Sequence, residues 1–235
     1  MPSPSTACFL DFDHTLLNTD EFFHVDLRNA FVRLGIDATC WERSYAAVWP
    51  TGYTLEKHAE EARGQSGIEL PLEQMKHILR ESFSDLRRYL FPDILPFLRE
   101  AKRNGVRLYL LSFGDYQWQN HKVLASNLVG HFDEVFFTAK EGGKATLIQE
   151  HGGGSAQRIV VVDNNPDELD LVKDVTPEAE TYWMNRVPEN MRVPADELSR
   201  LKFLEARKYL EKTPRHRHLP CRSLEGLLSR TVRTN

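Results

Sequence analysis

From residue 93 onward the chain alternates. Amphipathic helical stretches take turns with short apolar runs rich in Val, Phe and Tyr, the pattern of buried strands. Residues 92–104 place Ile94, Leu95, Leu98 and Ala101 on one helical stripe, and Asn104-Gly105 is a stop signal. A strand at 106–111 follows, then a helical pattern at 117–128 and a strand at 134–138. A helix at 145–150 and strands at 158–162 and 180–184 complete the series. A further run, Ala7-Cys8-Phe9-Leu10, stands near the start. This order predicts an α/β fold with a parallel sheet. In such sheets the ligand lies at the carboxyl ends of the strands.

Residues 18–90 break the alternation. Phe23, Leu27, Ala30, Phe31 and Leu34 share a helical stripe, and Thr39-Cys40-Trp41-Glu42 reads as a capping box opening a second helix. Residues 54–63 predict a third, and Pro71 opens a fourth carrying Leu72, Met75, Ile78, Leu79, Phe83 and Leu86. Four helices without a strand predict a separate helical unit at 18–90, inserted into a core made of 1–17 and 91–235. Its aromatic and Met positions read as its own core.

At 235 residues, one large domain or a core with a smaller unit both fit. Hydrophobic residues at 41% and charged residues at 27% exclude global disorder. No apolar run approaches the roughly 20 residues of a membrane helix, so no membrane partner is expected. The opening residues carry no basic start or apolar stretch, so no signal peptide is expected. Cys8, Cys40 and Cys221 are too few and scattered for a disulfide framework or zinc site, which predicts a reducing cytoplasm. The net charge is −4, and only residues 196–235, with ten Lys/Arg against five Asp/Glu, are basic. No nucleic-acid partner is expected from that balance.

Three strands stop at a reactive side chain: Asp11, Ser112 and Asp163. In Asp11-Phe12-Asp13-His14-Thr15 two carboxylates sit where a strand ends, so both can reach one site. Paired carboxylates suit metal binding, nucleophilic attack or acid/base work. Asp163 and Asp167 form a second pair, four apart, and can supply a metal ligand and its support; Mg²⁺ takes such oxygens. The same acids also suit a helix N-terminus. Ser112 and the backbone N–H groups beside it, Phe113 included, can hold phosphate oxygens. Lys144 opens a helix, where a point charge meets a favourable anion site.

In this order the four elements resemble the haloacid dehalogenase superfamily of phosphohydrolases, over nearly the whole length. Asp11-Phe12-Asp13-His14-Thr15 is similar to its first motif, Ser112 to its second, Lys144 to its third, and Asp163 with Asp167 to its fourth. The helices after the first motif match members with a helical cap there. The resemblance implies a doubly wound, Rossmann-like parallel sheet carrying an inserted all-helical cap. It implies Asp11 as nucleophile, forming an aspartyl-phosphate, and Asp13 as acid and base. Mg²⁺ would be held by the Asp11 carboxylate, the Asp13 carbonyl and Asp163, with Asp167 as ligand or support. Ser112, Phe113 and Lys144 would hold the transferring group, and a small phosphorylated metabolite would be the substrate. Lys140 is an alternative to Lys144, which directly precedes the helix. His14 shapes the turn.

Members that cleave carbon–halogen bonds lack the second aspartate, so Asp13 points to a phosphatase. A phosphomutase keeps both aspartates and stays open, as does a non-enzymatic binding protein using its basic tail. As an acid near neutral pH, Asp13 needs a raised pKa. Arg28, Arg43, Tyr53, Lys57 and His58 are the cap residues expected to read substrate. His151-Gly152-Gly153-Gly154 lacks the G-x-S-x-G elbow of an esterase and reads as a connection. No Walker-type nucleotide loop is present. Arg215-His216-Arg217-His218 reads as a solvated charged loop, Leu224, Leu227 and Leu228 as a return to the body, and 229–235 as a frayed end.

Overall fold

A computed structural model describes residues 6–140, 142–152, 158–186, 209, 211–225 and 227. The expectations for Leu228, for Gly153 and Gly154, and for both chain ends lie outside the described residues. Among the described residues six strands form one sheet: β1 (Thr6–Asp11), β2 (Arg107–Phe113), β3 (Glu134–Thr138), β4 (Arg158–Asp163), β5 (Glu180–Met184) and β6 (Leu219–Cys221). The order is β3-β2-β1-β4-β5-β6 and every pairing is parallel. This is the doubly wound Rossmann-like arrangement. Its switch point lies between β1 and β4, where the chain changes winding direction and a crevice opens.

Helices α1 (Arg28–Arg33), α2 (Ala38–Val48), α3 (Leu55–Ser66) and α4 (Leu72–Ser82) lie between β1 and β2. Helices α5 (Ile94–Arg103), α6 (Tyr116–Ala125), α7 (Gly143–Gly152) and α8 (Pro166–Val175) cover the sheet. Strand alternation sorts the side chains. Cys8, Leu10, Leu108, Leu110, Val160 and Val162 face one way, into a core shared with α5, α6 and the inserted helices. Ala7, Phe9, Tyr109, Leu111, Ile159 and Val161 face the other way, against α7 and α8. Burial on both faces explains why the strands read as continuous apolar runs.

The insertion leaves and returns at one point. Leu17 bridges Leu90 antiparallel, Asn18 N–H donates to Tyr89 O at 2.7 Å, and Phe91 N–H donates to Leu16 O at 3.1 Å. A π-helical stretch, Glu21–Leu27, runs unbroken into α1. Thr54 caps α3 by accepting from Lys57 N–H, and Pro71 sits just before α4. The capping box expected at Thr39 is corrected: Asp37 caps α2, its carboxylate accepting from Cys40 N–H at 2.8 Å. Thr39 already lies inside the helix, and an aspartate two residues earlier is an equally strong cap.

The solvated loop expected at 215–218 is also corrected. Asp170 on α8 accepts from Arg215 N–H at 2.7 Å, His216 N–H at 2.8 Å and the His218 ring at 3.1 Å. The other ring nitrogen of His218 lies 2.8 Å from Thr181 Oγ1 on β5. This clamp delivers the chain to β6 and then to Leu224 and Leu227, both buried. Asp93 anchors the same end, accepting from Arg186 at 2.7 and 2.9 Å and from Leu224 N–H at 2.7 Å. Burial pushes the Asp170 carboxyl up, but the two backbone N–H groups and His218 outweigh it and hold it below its usual value. Burial holds the His218 ring below its usual value. Both groups therefore bind fewer protons folded than unfolded, so their stabilisation is present at neutral pH and is lost as pH falls. Asp170→Ala is expected to cost about 1–3 kcal/mol near neutral pH. That loss should shrink below about pH 4, where an unperturbed carboxylate protonates. Urea denaturation at two pH values checks it.

Candidate active site

β1 and β4 end side by side at the switch point, which sets Asp11 and Asp163 next to each other on neighbouring strands. Lys144, in the first turn of α7, reaches between them. Its Nζ donates to Asp11 Oδ1 at 2.6 Å and to Asp163 Oδ2 at 2.7 Å. All three side chains are at least nine-tenths buried. Close approach by α7 depends on Gly143, where a Cβ would lie 2.0 Å from Thr138 Oγ1. Lys140 is exposed and outside the cavity.

Burial pushes the Asp11 carboxyl up to about 7; the Asp163 charge adds to this and Lys144 opposes it. For Lys144, burial works against the charge, but Asp11 and Asp163 outweigh it and hold the ammonium above its usual value. Asp163 is also the hinge of the next turn, its Oδ1 accepting from Asn165 N–H at 2.8 Å.

Past β1 the backbone turns through His14, whose φ of +59° is left-handed. That turn swings Asp13 onto α6. Lys122 Nζ lies 2.5 and 2.7 Å from the two Asp13 carboxylate oxygens, and Thr19 Oγ1 donates to Oδ1 at 2.9 Å. Asp13 does not have the raised pKa that an acid near neutral pH needs. Burial does push it up, but Lys122, with smaller help from His14 and Thr19, holds it below its usual value. Lys122 was invisible to motif reasoning. Its one signal is position, i+4 from Trp118 on the inward face of α6.

Ser112, the last residue but one of β2, is fully buried, and its hydroxyl donates to Gln119 Oε1 at 3.0 Å. Gln119 Nε2 donates in turn to Phe113 O at 2.7 Å. The loop fits only because Gly114 has φ +139° and no side chain; a Cβ would meet Gln119 Nε2 at 2.5 Å. Asp11, Asp13, Phe113, Lys144, Asp163 and Asp167 line one cavity of about 430 Å³, whereas Ser112 lies behind its wall. Asp167, in the first turn of α8, is the outermost, its side chain 59% exposed and paired with Lys212.

Among the described residues no three His, Cys, Asp or Glu side chains converge as a metal cluster. Asp13 is turned to Lys122 and Asp163 to Lys144. The oxygens that do converge are Asp11 Oδ2 and the Asp13 carbonyl. The Asn164 amide meets both: with its nitrogen inward it donates to Asp13 O at 3.2 Å and Asp11 Oδ2 at 3.3 Å. With its oxygen inward, the same amide completes a three-oxygen set of the kind a hard divalent cation takes.

Of the inserted residues expected to read substrate, Tyr53 lines the cavity, and Arg28, Arg43, Lys57 and His58 do not. Lys57 Nζ donates to the carbonyls of Thr51 and Gly52. His58 is fully buried behind the wall, its Nδ1 3.1 Å from Tyr53 Oη. Phe22, Phe23, Tyr45 and Tyr53 are buried as expected of a core, yet they also face the cavity.

A family model described as haloacid dehalogenase-like hydrolase matches residues 6–175. A phosphoserine phosphatase of Thermus thermophilus is 34% identical over 71 residues, 30% of this chain. The chain spans only 28% of that relative's length. Among solved structures, a haloacid dehalogenase-like hydrolase of Burkholderia xenovorans is similar at a TM-score of 0.69, with 18% identity and 96% of each chain covered. The L-2-haloacid dehalogenase of Xanthobacter autotrophicus is similar at 0.61, with 16% identity and 98% of each chain covered. At those identities the solved structures speak for the fold; the family match covers most of this chain and holds both central strands and their carboxylates. The chain belongs to the haloacid dehalogenase-like hydrolases.

Proposed function

We propose that the protein is a Mg²⁺-dependent phosphatase acting on a small phosphorylated metabolite through an aspartyl-phosphate. The observation that carries this reading is Asp13: a second carboxylate, two residues after Asp11, lining the same cavity. An Asp11 oxygen attacks phosphorus as the ester P–O bond breaks, and Asp13 gives the leaving oxygen its proton. Asp13 then takes a proton from the water that attacks the aspartyl-phosphate, releasing inorganic phosphate and restoring Asp11. Lys144 neutralises the transferring group, Phe113 lines the same cavity, and Ser112, behind the wall, supports the Phe113 loop through Gln119.

Lys122 holds Asp13 as a carboxylate, so before the first step Asp13 must loosen from Lys122 and take up a proton, from water or from the ester monoanion as it enters. Asp11, the Asp13 carbonyl and a side chain at the end of β4 or just after it, Asp163 or Asn164, would hold Mg²⁺, with Asp167 in support. When bound, the ion would add positive charge where the phosphoryl oxygens crowd. Three carboxylates face two ammonium groups in the centre, a balance that favours one added cation. Residues 18–90, joined to the core by the Leu17–Leu90 tie, act as a cap that excludes bulk water. Among the described residues Cys8, Cys40 and Cys221 form no disulfide.

Carbon–halogen cleavage is the competing chemistry within the family, and one assay separates the two. The protein is expected to release inorganic phosphate from p-nitrophenyl phosphate and no chloride from 2-chloropropionate. A chelator should stop the phosphate release and added Mg²⁺ restore it. Chloride release without phosphate release rejects the phosphatase. Equal phosphate release with and without chelator rejects the metal.

A further inference from the structure

The cavity has two unlike halves. One is the charged floor of Asp11, Asp13, Lys122, Lys144 and Asp163. The other is a wall of rings: Phe22, Phe23, Tyr45, Trp49 and Tyr53 from the insertion and Trp118 from α6. The rings brace one another. Phe23 lies 5.1 Å from both Tyr45 and Tyr53, Tyr53 lies 5.2 Å from Trp118, and Phe22 stacks near Trp118 at 6.1 Å. His58 fixes Tyr53 from behind. Trp49, 5.5 Å from Tyr45, is 59% exposed, so a broad ring face stands at the mouth.

Rings dominate the wall, and the one ionisable nitrogen side chain that the insertion adds to the lining is His24. No Arg or Lys of residues 18–90 lines the cavity, all of them being described. Of the described lysines that do, Lys122 is held by Asp13 and Lys144 by Asp11 and Asp163. A substrate with a second anionic group, such as the carboxylate of phosphoserine, would bring it against a wall made mostly of rings, with no Arg or Lys of the insertion to pair it, at a desolvation cost. An uncharged ring would meet edges and faces suited to stacked or T-shaped contact. The volume is at the low end of the roughly 300–1,000 Å³ of small-molecule sites, enough for a phosphate and one ring system.

We infer that the substrate is a phosphomonoester whose alcohol part carries an uncharged aromatic or heteroaromatic ring, bound against the Phe22–Tyr53–Trp118 wall. This rests on the phosphatase reading and narrows it. The test separates binding from leaving-group reactivity by using phosphonates, which are not hydrolysed. Naphthylmethylphosphonate, ethylphosphonate and 2-amino-3-phosphonopropionate are titrated into the full chain with Mg²⁺ by calorimetry. Each ring contact contributes about 0.5–1.5 kcal/mol, so two predict a Kd for the naphthyl compound about fivefold to 150-fold below that of ethylphosphonate. The amino acid analogue should bind no better than ethylphosphonate.

Trp49→Ala, at an exposed position, should lower the naphthyl-over-ethyl ratio by about threefold to tenfold. Equal Kd values for naphthyl and ethyl compounds, tighter binding of the amino acid analogue, or a ratio untouched by Trp49→Ala overturns the inference. These outcomes are distinct from failure of the phosphatase reading, which shows as no phosphate release from any ester. An aromatic preference in binding then still upholds the ring subsite.

Discussion

Asp11→Asn is expected to lower p-nitrophenyl phosphate hydrolysis by about 10⁴-fold or more, the scale of losing a covalent nucleophile. The amide keeps the shape and can still accept from Lys144, so the fold should survive. Stability should move the other way from activity. With its carboxyl pushed up to about 7, Asp11 is more protonated folded than unfolded between about pH 4 and 7. Deprotonating it in place weakens the wild-type fold as pH rises through that window. An amide carries no such penalty. In chelator, the melting temperature of Asp11→Asn relative to wild type should therefore rise from pH 5 to pH 8. Activity within tenfold of wild type would remove Asp11 from the nucleophile's role. A flat melting difference would remove the buried-charge argument while leaving the nucleophile in place.

Lys144→Met is expected to damage both function and fold. As the cation nearest the transferring group it should contribute on the order of 10²–10³ in rate. Its removal also leaves Asp11 and Asp163 facing each other, buried, with no ammonium between them. Breaking a buried pair from one side costs about 3–5 kcal/mol. The cost depends on pH with a definite sign. Without the lysine the Asp11 carboxyl is pushed further up, so low pH relieves the repulsion by protonating it and high pH restores it. Urea denaturation should show a larger deficit at pH 8 than at pH 5. Mg²⁺ added at pH 8 should recover part of it, since a cation that binds only the folded state stabilises that state. A deficit equal at both pH values would mean that the lysine acts by packing alone.

The sheet was legible because both of its faces are buried: Ala7–Leu10 and Ile159–Val162 carry unbroken apolar runs, and no helix period fits them. β6 was not, since three residues with a proline at the centre carry no period; its pairing depends on the Asp170 clamp upstream. In the site, Asp11, Asp13, Lys144 and Asp163 were readable because each ends a strand or opens a helix at fixed spacing. Lys122 and Asn164 had no such marker. What brings Lys122 to Asp13 is the left-handed turn at His14 and the path of α6, which are properties of the folded chain. The rings of the insertion were read as core because burial and cavity lining draw on the same residue types. Phe22 is fully buried and touches the cavity nonetheless.

β1 holds the middle of the sheet, and its partners lie far off in the chain. It cannot pair with β2 until the insertion has been made, nor with β4 until roughly 150 residues have followed it. At about 5–20 residues per second of synthesis, that is a wait of roughly 8–30 s. Until β2 is made Cys8-Phe9-Leu10 is an apolar strand with two open edges, and one edge stays open until β4, while the inserted helices already have one another to pack against. The growing chain thus has to shield its central strand before the strand has a neighbour, a demand on chaperones at synthesis that the finished protein, with β1 enclosed on both sides, no longer shows.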